Sequence, residues 1–310
     1  MTDSIIKKLA DGLVMRRGRS EDVDALSDFM AAIATDDGTG EPNRFVGQWT
    51  RDLMADDHPT MKPEYFTIVE DTNESRIASA LCLIPKVWAY EGLTFGIGQP
   101  EIVNTHPDYR NRGLIREQMD VVHAWSTEMG HLVQTIDGIP YFYRQFGYEM
   151  GIDMGGRWRG LPIPAKPSAD DSQSRFPIRD ASLADVPFLN SLNESARSRS
   201  VVSGVWSEKD WEYSLKGRNK GSLAYFETRI VEDQDGRPCG YLAISPRLWR
   251  GGLGLQAFEL LEGTPWQEVV PLVMDHLSET GRRFADESSG ELTRIAFVLG
   301  ADHPSYNAAR

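Results

Sequence analysis

The pattern of hydrophobic and polar residues predicts two long strands in the first half of the chain. They run from Ala78 to Tyr90 and from Leu93 to Thr105, and only Glu91 and Gly92 separate them. A two-residue connection that contains glycine is typical of a tight β-hairpin. We therefore predict a pair of antiparallel strands at this position.

A helix is predicted after the second strand because apolar residues return there at helical spacing. They are Leu114, Ile115, Met119, Val122 and Trp125, and the pattern ends by Gly130. A strand from His131 to Asp137, a short helix and a strand from Tyr148 complete the first half. This order predicts a mixed α/β (α+β) domain, with helices flanking a mostly antiparallel sheet.

The second half of the chain repeats features of the first at a spacing of 161 to 163 residues. The matched pairs, in chain order, are Arg16 with Arg179, Asp22 with Asp185, Glu70 with Glu232, and Trp88 with Trp249. Several matches in one order at nearly constant spacing indicate a domain duplication. Two tandem domains of the same fold are therefore expected.

The boundary is predicted in a stretch rich in Pro, Ser and Asp, from Gly160 to Ser174, which has the composition of a linker. We assign an N-terminal domain to residues 1–160, the linker to 161–176 and the second domain to 177–310.

Composition indicates a globular protein and argues against several classes of function. Hydrophobic residues make up 40% of the chain and charged residues 25%, as in ordinary folded domains. The net charge of -13 argues against nucleic acid as a partner and suits a cationic molecule, unless the acidity serves solubility alone. No membrane span or secretory signal is evident, and Cys82 and Cys239 lack metal-like spacing, so we expect a cytoplasmic protein without a metal.

The segment from Glu101 to Ile115 joins a strand, a short loop and a helix start. Arg110, Asn111, Arg112 and Gly113 directly precede the predicted helix. The first N–H groups of a helix lack intrahelical partners and the dipole is positive there, so a pyrophosphate is a natural occupant. The alternative is an ordinary helix start in a solvated loop.

The second long strand is interrupted by Gly98, Gln99 and Pro100. Proline cannot donate to a strand ladder and glycine often marks a bulge, so the strand is expected to splay. The backbone groups from Ile102 to Thr105 would then be free, and the amides of a pantetheine arm are suitable partners. A plain edge-strand bulge is the alternative.

Four aromatic residues lie in the short helix predicted between Pro140 and Gly147, namely Tyr141, Phe142, Tyr143 and Phe146. A tyrosine near the strand gap could supply a proton to a leaving thiolate, with a reference pKa of about 10 that lies above the thiol's roughly 8.5. Tyr141 and Phe142 are better explained as core residues.

Two segments resemble motifs of the GNAT acetyltransferases. Val103 to Gly113 resembles Val-x-x-x-x-Arg/Gln-x-x-Gly-x-Gly/Ala, and Tyr143 to Glu149 resembles the later Tyr-x-x-x-Gly-Phe/Tyr. The most similar branch is the tandem-domain group related to the enhanced intracellular survival acetyltransferases, whose helix commonly opens with Arg-x-Arg-Gly-Leu. Ile115 departs from the first motif, which ends in Gly or Ala, although main-chain contacts do not need that side chain.

The resemblance implies two GNAT domains and an acetyl-CoA-dependent N-acetyltransferase. It implies a pyrophosphate site at Arg110, Asn111, Arg112, Gly113, Leu114 and Ile115, and a pantetheine site along Ile102, Val103, Asn104 and Thr105. It also implies Tyr143 as general acid. Glu101 is the first candidate base, because it precedes the pantetheine stretch and resembles the strand-four glutamate of some GNAT enzymes. A solvated or ion-paired acid is the alternative, and His106 and His123 are weaker candidates.

Acidic residues crowd the region before the strand at Tyr65, at Asp36, Asp37, Glu41, Asp52, Asp56 and Asp57. In GNAT folds this region borders the acceptor, so the resemblance favours a cationic amine of a small molecule or peptide. A solvated acidic face is the alternative.

The matching stretch of the second half, Glu259 to Glu268, has acids where the first half has arginines, and these would repel a pyrophosphate. We expect a non-binding copy that frames the acceptor pocket or stabilises the first domain. A non-catalytic acyl-CoA sensor and a structural scaffold are the other functions considered, and association into a homo-oligomer is left open.

Overall fold

The computed structural model describes residues 5–35, 40–139, 141–152, 159–164, 175–300 and 302–308. The chain divides into two compact units. Unit 1 comprises Met1–Glu149 and Arg197–Ala224, and unit 2 comprises Met150–Ala196 and Tyr225–Arg310. Residues 197–224 fall in the second domain assigned from the sequence, so the two divisions differ at this segment.

Unit 1 contains a mixed sheet with helices on both faces. Its first strands are β1 Ile5–Lys8, β2 Leu13–Arg17, β3 Phe66–Asp71, β4 Arg76–Tyr90, β5 Leu93–Thr105 and β6 Val133–Gln134. Its helices are α1 Val23–Ile33, α2 Arg44–Leu53 and α3 Leu114–Glu128, with 3-10 helices at Ser20–Asp22, Pro63–Tyr65, Pro107–Tyr109 and Phe142–Phe146. Strands β1 to β5 pair antiparallel in chain order, and β6 is parallel to β5.

The predicted hairpin and the helix after it are present. Strand β5 has the predicted bounds, and Glu91 and Gly92 take the left-handed φ values of 46° and 84° that a tight hairpin turn requires. The predicted strand from His131 to Asp137 is reduced to β6. The strand predicted from Tyr148 is wrong for the described residues 148–152, because the next strand of the chain pairs in unit 2 instead.

Unit 2 contains a second mixed sheet. Its strands are β7 Arg159–Leu161, β8 Ile178–Asp180, β10 Glu227–Glu232, β11 Pro238–Ile244, β12 Gly252–Leu260 and β13 Arg294–Phe297, in the order β7-β13-β12-β11-β10-β8. Its helices are α4 Val186–Arg197, α6 Trp266–Ser288 and α7 Ser305–Ala308, and a 3-10 helix spans Leu183–Asp185. Strand β7 lies beside β13, so the predicted linker begins inside a strand that completes this sheet.

The segment 197–224 adds a strand to the sheet of unit 1. Strand β9, Val202–Gly204, pairs antiparallel with Trp88–Tyr90 of β4. Strand β3 pairs with β4 only from Arg76 to Cys82, so the rest of that edge is free to accept β9. Helix α5, Glu208–Glu212, and a π-helical turn, Tyr213–Gly217, follow β9.

Each face of the first sheet packs against different helices. On one face Leu26 and Met30 of α1 and Val46 of α2 contact Cys82 and Ile84 of β4. On the other face α3 contributes Met119, Val122 and Trp125, which pack on Leu81 and Leu83. Alternate residues of β4 therefore serve opposite layers, as the two-residue period of a strand requires. The predicted mixed α/β fold is confirmed.

The duplication reappears as one ion-pair arrangement in both units. In unit 1 the Arg16 guanidinium donates to both carboxylate oxygens of Asp22 at 2.7 and 2.8 Å and to Glu70 at 2.8 Å. In unit 2 Arg179 donates to Asp185 at 2.7 and 2.8 Å and to Glu232 at 2.7 Å. In each unit the arginine joins a strand to the 3-10 turn that precedes a helix.

Candidate active site

The loop before α3 presents an open helix N-terminus. Gly113 is the N-cap, with a left-handed φ of 75°, and its helix has no side-chain cap. A Cβ added at Gly113 would meet nothing within 4 Å, and Arg110, Asn111 and Arg112 are exposed like Gly113 itself. Asn111 also has a left-handed φ, of 63°. This main chain can therefore approach an anion closely.

The two arginines of this loop have different surroundings. The Arg110 guanidinium forms no hydrogen bond or ion pair with the residues that the structure describes. Arg112 donates to the Asp108 carbonyl at 3.2 Å, and its guanidinium lies 4.9 Å from the centroid of the Tyr109 ring. Tyr109 is fixed in turn, since its hydroxyl donates to Asp71 at 2.7 Å. The loop thus offers one unpaired cation beside one anchored cation.

The side chains of Leu114 and Ile115 pack against the core. Leu114 is 5% exposed and packs with Val69, Ala78 and Tyr109. Ile115 packs against the layer under α3. Any contact of these two residues with a bound donor would therefore come from their main chain, as expected from the sequence for Ile115.

Strand β5 has an open edge leading to this loop. Its ladder with β6 consists of Ile97 with Val133 and Gly98 with Gln134, and the Thr135 N–H donates to the Gly98 carbonyl at 3.0 Å. In the described part of the chain no strand pairs with this edge between Pro100 and Thr105. The edge therefore opens after Gly98, where the sequence suggested an interruption.

On its other side β5 remains paired with β4 through Gly98, Gln99 and Pro100, so the interruption expected there does not affect this ladder. The register shifts instead between the Ala80–Asn104 pair and the Cys82–Glu101 pair. Within this bulge Ile102 takes a left-handed φ of 52°. The bulge re-aims the residues that follow it. Ile102 faces the core, and Val103 is half-buried on the α3 side.

A buried hydrogen-bond network holds α3 against this strand. Ser79 Oγ lies 2.6 Å from Gln118 Oε1, 3.0 Å from the Asn104 carbonyl and 2.9 Å from Thr105 Oγ1. Gln118 Nε2 donates to Thr67 Oγ1 at 2.8 Å. Gln118 is fully buried, so the network fixes the helix relative to the predicted pantetheine-binding stretch.

Tyr143 lies in the short helix at the end of unit 1's sheet. A Cβ at Gly138 would overlap the Tyr143 ring, so the glycine allows the ring to lie on the backbone. Arg116 of α3 donates to Gln145 at 2.6 Å and thereby ties the two helices together. Burial, with the negative charges of Glu101 and Asp137, raises the pKa of Tyr143 to about 12. Its hydroxyl therefore stays protonated at neutral pH. Tyr141 is 71% and Phe142 39% exposed, so the expectation that they are core residues is wrong.

Glu101 is half-buried on β5 and accepts a hydrogen bond from Gln99 at 2.5 Å. Burial raises the pKa of Glu101 to about 6. The positive charge of Lys86 acts in the opposite direction and lowers that pKa. Lys86 lies on the same face of the sheet as Glu101, because Glu101 pairs with Cys82 and Lys86 is four residues from Cys82 along β4. Glu101 is thus a carboxylate poised to accept a proton near neutral pH.

The two histidine candidates have structural contacts. His106 Nδ1 accepts from the Asp108 N–H at 3.3 Å and caps the 3-10 turn. His123 lies 3.1 Å from the Tyr148 hydroxyl, which donates to Gln134 at 2.7 Å. This network joins α3, β6 and the segment after Tyr143, and it orients the short helix.

Only part of the acidic region is exposed to solvent. Asp52 is 7% exposed, and its carboxylate accepts from Gln48 at 3.1 Å and from the Asn219 N–H at 3.3 Å. Asp56 and Asp57 are exposed. Asp36 and Asp37 lie outside the described residues. The Asp52 carboxylate joins α2 to the segment 197–224 and so has a structural use.

Sequence reasoning missed three basic residues on the Glu101 side of the sheet, namely His58, Lys86 and Arg218. His58 and Arg218 both lie against the Tyr213 ring, and burial together with the positive charge of Arg218 lowers the pKa of His58 and of Lys86. Lys86 had a visible signal, since a lysine follows Cys82 and Ile84 at two-residue spacing in an apolar strand. Arg218 had none, because its sequence position lies in the second half.

Residues 16–151 match the family model described as Acetyltransferase (GNAT) domain. This part of the chain is similar to a GNAT acetyltransferase domain, and the match supports acyl transfer in general. The tandem branch suggested by the sequence remains a prediction.

Solved structures of similar fold extend over both units. A conserved protein of Enterococcus faecalis V583 described as a probable N-acyltransferase has a TM-score of 0.59 at 15% identity, over 92% of this chain and 65% of its own. N-myristoyltransferase of Saccharomyces cerevisiae with bound myristoyl-CoA has a TM-score of 0.64 at 10% identity, over 96% of this chain and 74% of its own. A GCN5-related N-acetyltransferase from Kribbella flavida has a TM-score of 0.59 at 16% identity, over 96% of this chain and 66% of its own.

At these identities the likeness shows the fold alone. The chain spans 65% of the Enterococcus faecalis protein, so it is the shorter of the two. A search of curated proteins found no match. In the part that the structure describes, no group of three or more His, Cys, Asp or Glu could hold a metal ion, and no helix has the length and apolarity to cross a membrane.

Proposed function

We propose that the protein is an acetyl-CoA-dependent N-acetyltransferase that acts on a primary amine of a small molecule or peptide. The observation that carries the proposal is the open edge of β5 after Gly98, which leads directly to the uncapped start of α3. A pantetheine arm and a pyrophosphate need these two features in this order. Glu101 lies on the same strand and supplies a base at the open edge.

The donor would be held mainly by main-chain groups. The N–H groups from Gly113 to Ile115 donate to the pyrophosphate, and Arg110 and Arg112 add positive charge. The edge from Ile102 to Thr105 pairs with the pantetheine amides as an added strand would. The buried Gln118 network keeps the helix and the strand in one geometry.

The transfer needs a neutral amine. At a reference pKa of about 10.4, deprotonation of an alkylamine at pH 7 costs roughly 4 to 5 kcal/mol. Glu101 accepts the ammonium proton. The amine nitrogen then forms a bond to the thioester carbonyl carbon, the carbon–sulfur bond breaks, and the Tyr143 hydroxyl donates its proton to the departing thiolate. The proton still in excess on the new amide nitrogen passes to the Tyr143 phenolate, which leaves a neutral amide and restores the hydroxyl. Holding the reactants together supplies most of the acceleration.

We further propose that unit 2 is a copy that does not bind CoA. Helix α6, which follows β12 as α3 follows β5, begins after Pro265 and carries Glu268 in its first turn. Glu268 pairs with Arg175 at 2.8 Å. Helix α3 also carries an acid, Glu117, in its first turn, so the difference lies in the residues before each helix. Unit 2 has Glu259 and Glu262 where unit 1 has arginines, and these acids disfavour a phosphate.

Thiol release from acetyl-CoA across a panel of amines tests the proposal. We expect release that depends on both acetyl-CoA and an amine. Thermal stabilisation by acetyl-CoA without thiol release on any amine would instead favour a sensor that binds the donor without turnover.

A further inference from the structure

Three neighbouring strands of unit 1 place aromatic residues around a glycine on one face of the sheet. Across β9, β4 and β5, Gly204 pairs with Trp88, and Trp88 pairs with Phe95. Directly paired residues project to the same face, and neighbouring strands lie about 4.8 Å apart. Gly204 is exposed, and Trp88 and Phe95 are half-buried. The position beside Trp88 therefore has no side chain of its own.

Trp206 leans over this position. The Val205 N–H donates to the Val87 carbonyl at 2.9 Å, so pairing with β4 continues past Gly204 and Trp206 projects to the same face as Gly204. Trp206 Nε1 lies 3.9 Å from the place that a Cβ at Gly204 would take. Its ring packs on the buried Trp211, with 4.6 Å between ring centroids. The Trp206 ring is thus supported by the protein.

We call the surface formed by Trp88, Phe95, Gly204 and Trp206 the aromatic shelf. Trp206 is 36% exposed although it packs on Trp211. None of the four residues is charged, so the shelf favours a ligand through its apolar area. Exposed apolar surface of this kind marks binding sites, and tryptophan is prominent among residues that dominate binding energy. An aromatic or bulky aliphatic side chain is the ligand that such a surface binds best.

The aromatic shelf lies on the same face of the sheet as Glu101. Glu101 pairs with Cys82 and Phe95 pairs with Trp88, six residues further along each strand. An even spacing keeps both pairs on one face, the one that α1 and α2 cover at Cys82. Six residues of strand correspond to about 20 Å. Lys86, on this face between the two pairs, is exposed, so the face is open to solvent along the way.

Resting on the proposed function, we infer that the acceptor is a peptide whose primary amine meets Glu101 and whose bulky apolar side chain, about six residues along, lies on the aromatic shelf. A small amine is too short to span about 20 Å. An extended peptide advances about 3.3 Å per residue and spans this distance in about six residues.

A positional series of peptides tests this inference. Thiol release is measured with nine-residue Gly/Ser peptides that carry one Phe at each position from two to nine, with the same peptide without Phe, and with benzylamine. One series has a free N-terminal amine, and a second is blocked there and has Lys at position one, which distinguishes the two sources of a peptide amine. We expect kcat/KM to rise about 10-fold or more with Phe at positions six to eight of the accepted series, because burying a Phe side chain supplies that factor.

Variants then test the aromatic shelf itself. Trp206→Ala and Gly204→Val should bring the ratio of kcat/KM with and without Phe at the best position towards one. An added Cβ at Gly204 makes ordinary van der Waals contact with Trp206, so Gly204→Val is expected to fold, as thermal unfolding will verify.

Two variants of unit 2 are the matched controls. Trp249 is 46% exposed, and a Cβ at Gly300 would meet nothing within 4 Å. Trp249→Ala and Gly300→Val should therefore keep the wild-type ratio.

Equal kcat/KM for peptides with and without Phe, an equal gain at every position, or an unchanged ratio in Trp206→Ala would overturn the inference and leave the proposed function standing. Light scattering adds a further outcome. Self-association that Trp206→Ala abolishes, without any preference for Phe, would assign the aromatic shelf to a second copy of the chain and also overturn the inference. Absence of thiol release with every acceptor would overturn the proposed function and this inference with it.

Discussion

The Ser79 hydroxyl lies 2.6 Å from Gln118 Oε1, in the buried layer between β4 and α3. Through this contact the first turns of α3 are tied to the strand pair that ends at Thr105. Since α3 is proposed to hold the pyrophosphate and β5 the pantetheine arm, the contact couples two halves of one donor site.

Gln118→Met should weaken both stability and acetyl-CoA binding. The substitution keeps volume but removes the buried hydrogen bonds of Gln118 with Ser79 and Thr67, which costs about 1 to 3 kcal/mol of unfolding free energy. Denaturant unfolding and calorimetry with acetyl-CoA measure the two effects. Gln234→Met, in an exposed turn of unit 2, is the control. An unchanged acetyl-CoA affinity in Gln118→Met would show that the network does not set the donor site.

Tyr143→Phe should lower kcat about 100-fold or more near neutral pH, because loss of a positioned acid typically removes that factor. Acetyl-CoA affinity should change little, since the ring still lies on Gly138. Tyr141→Phe is the matched control, because Tyr141 is 71% exposed. Full activity in Tyr143→Phe would remove the acid role from this residue.

The pH profile should report Glu101. A carboxylate that accepts the ammonium proton must be ionised, and burial raises its pKa to about 6. At pH values below the amine pKa, kcat/KM should therefore fall with a slope of one below about pH 6 and level off above it. Glu101→Gln should lose this limb together with most of the activity. A wild-type midpoint near the ordinary glutamate value of about 4.3 would argue against the role.

Asp185→Asn should destabilise unit 2. The hydrogen bonds from Arg179 lower the pKa of Asp185 to about 2 in the folded protein, below its value of about 3.9 in the unfolded chain. The ionised carboxylate therefore stabilises the folded state. This stability is present above about pH 4 and is lost as the pH falls towards 2. The loss in the variant at pH 7 should be about 2 kcal/mol.

Asp22→Asn is its counterpart in unit 1, where Arg16 is more buried, with 13% of its side chain exposed against 38% for Arg179. Its loss should be at least as large. Thermal unfolding of both variants checks the pair, and an unchanged Tm in either would contradict the structural role of the repeated ion pairs.

Local patterns in the sequence were sufficient to predict much of the secondary structure of unit 1. The hairpin turn needed only Glu91 and Gly92, and α3 needed only its apolar spacing. The repeated arginine, predicted to mark a duplication, makes the same contacts in both units. These features depend on residues close together in the chain.

Features that depend on distant pairing could not be predicted. The left-handed bulge lies at Ile102 and not at Gly98 to Pro100, because Pro100 keeps its place opposite Leu83 in the ladder. Strand β9 joins β4 on the edge that β3 leaves free beyond Cys82, and this brings the segment that carries Arg218 to unit 1. Nothing local to Arg218 signals that position.

The most direct test of the central claim is calorimetry with acetyl-CoA on the wild type and on Gly113→Val. We predict one site per chain in the wild type, and binding weakened about 10-fold or more in the variant, because a side chain there is strained at φ 75° and obstructs close approach of the pyrophosphate. S-acetyl-pantetheine, which lacks the pyrophosphate, should bind both proteins alike. No binding to the wild type, or equal acetyl-CoA affinity in Gly113→Val, would contradict the account.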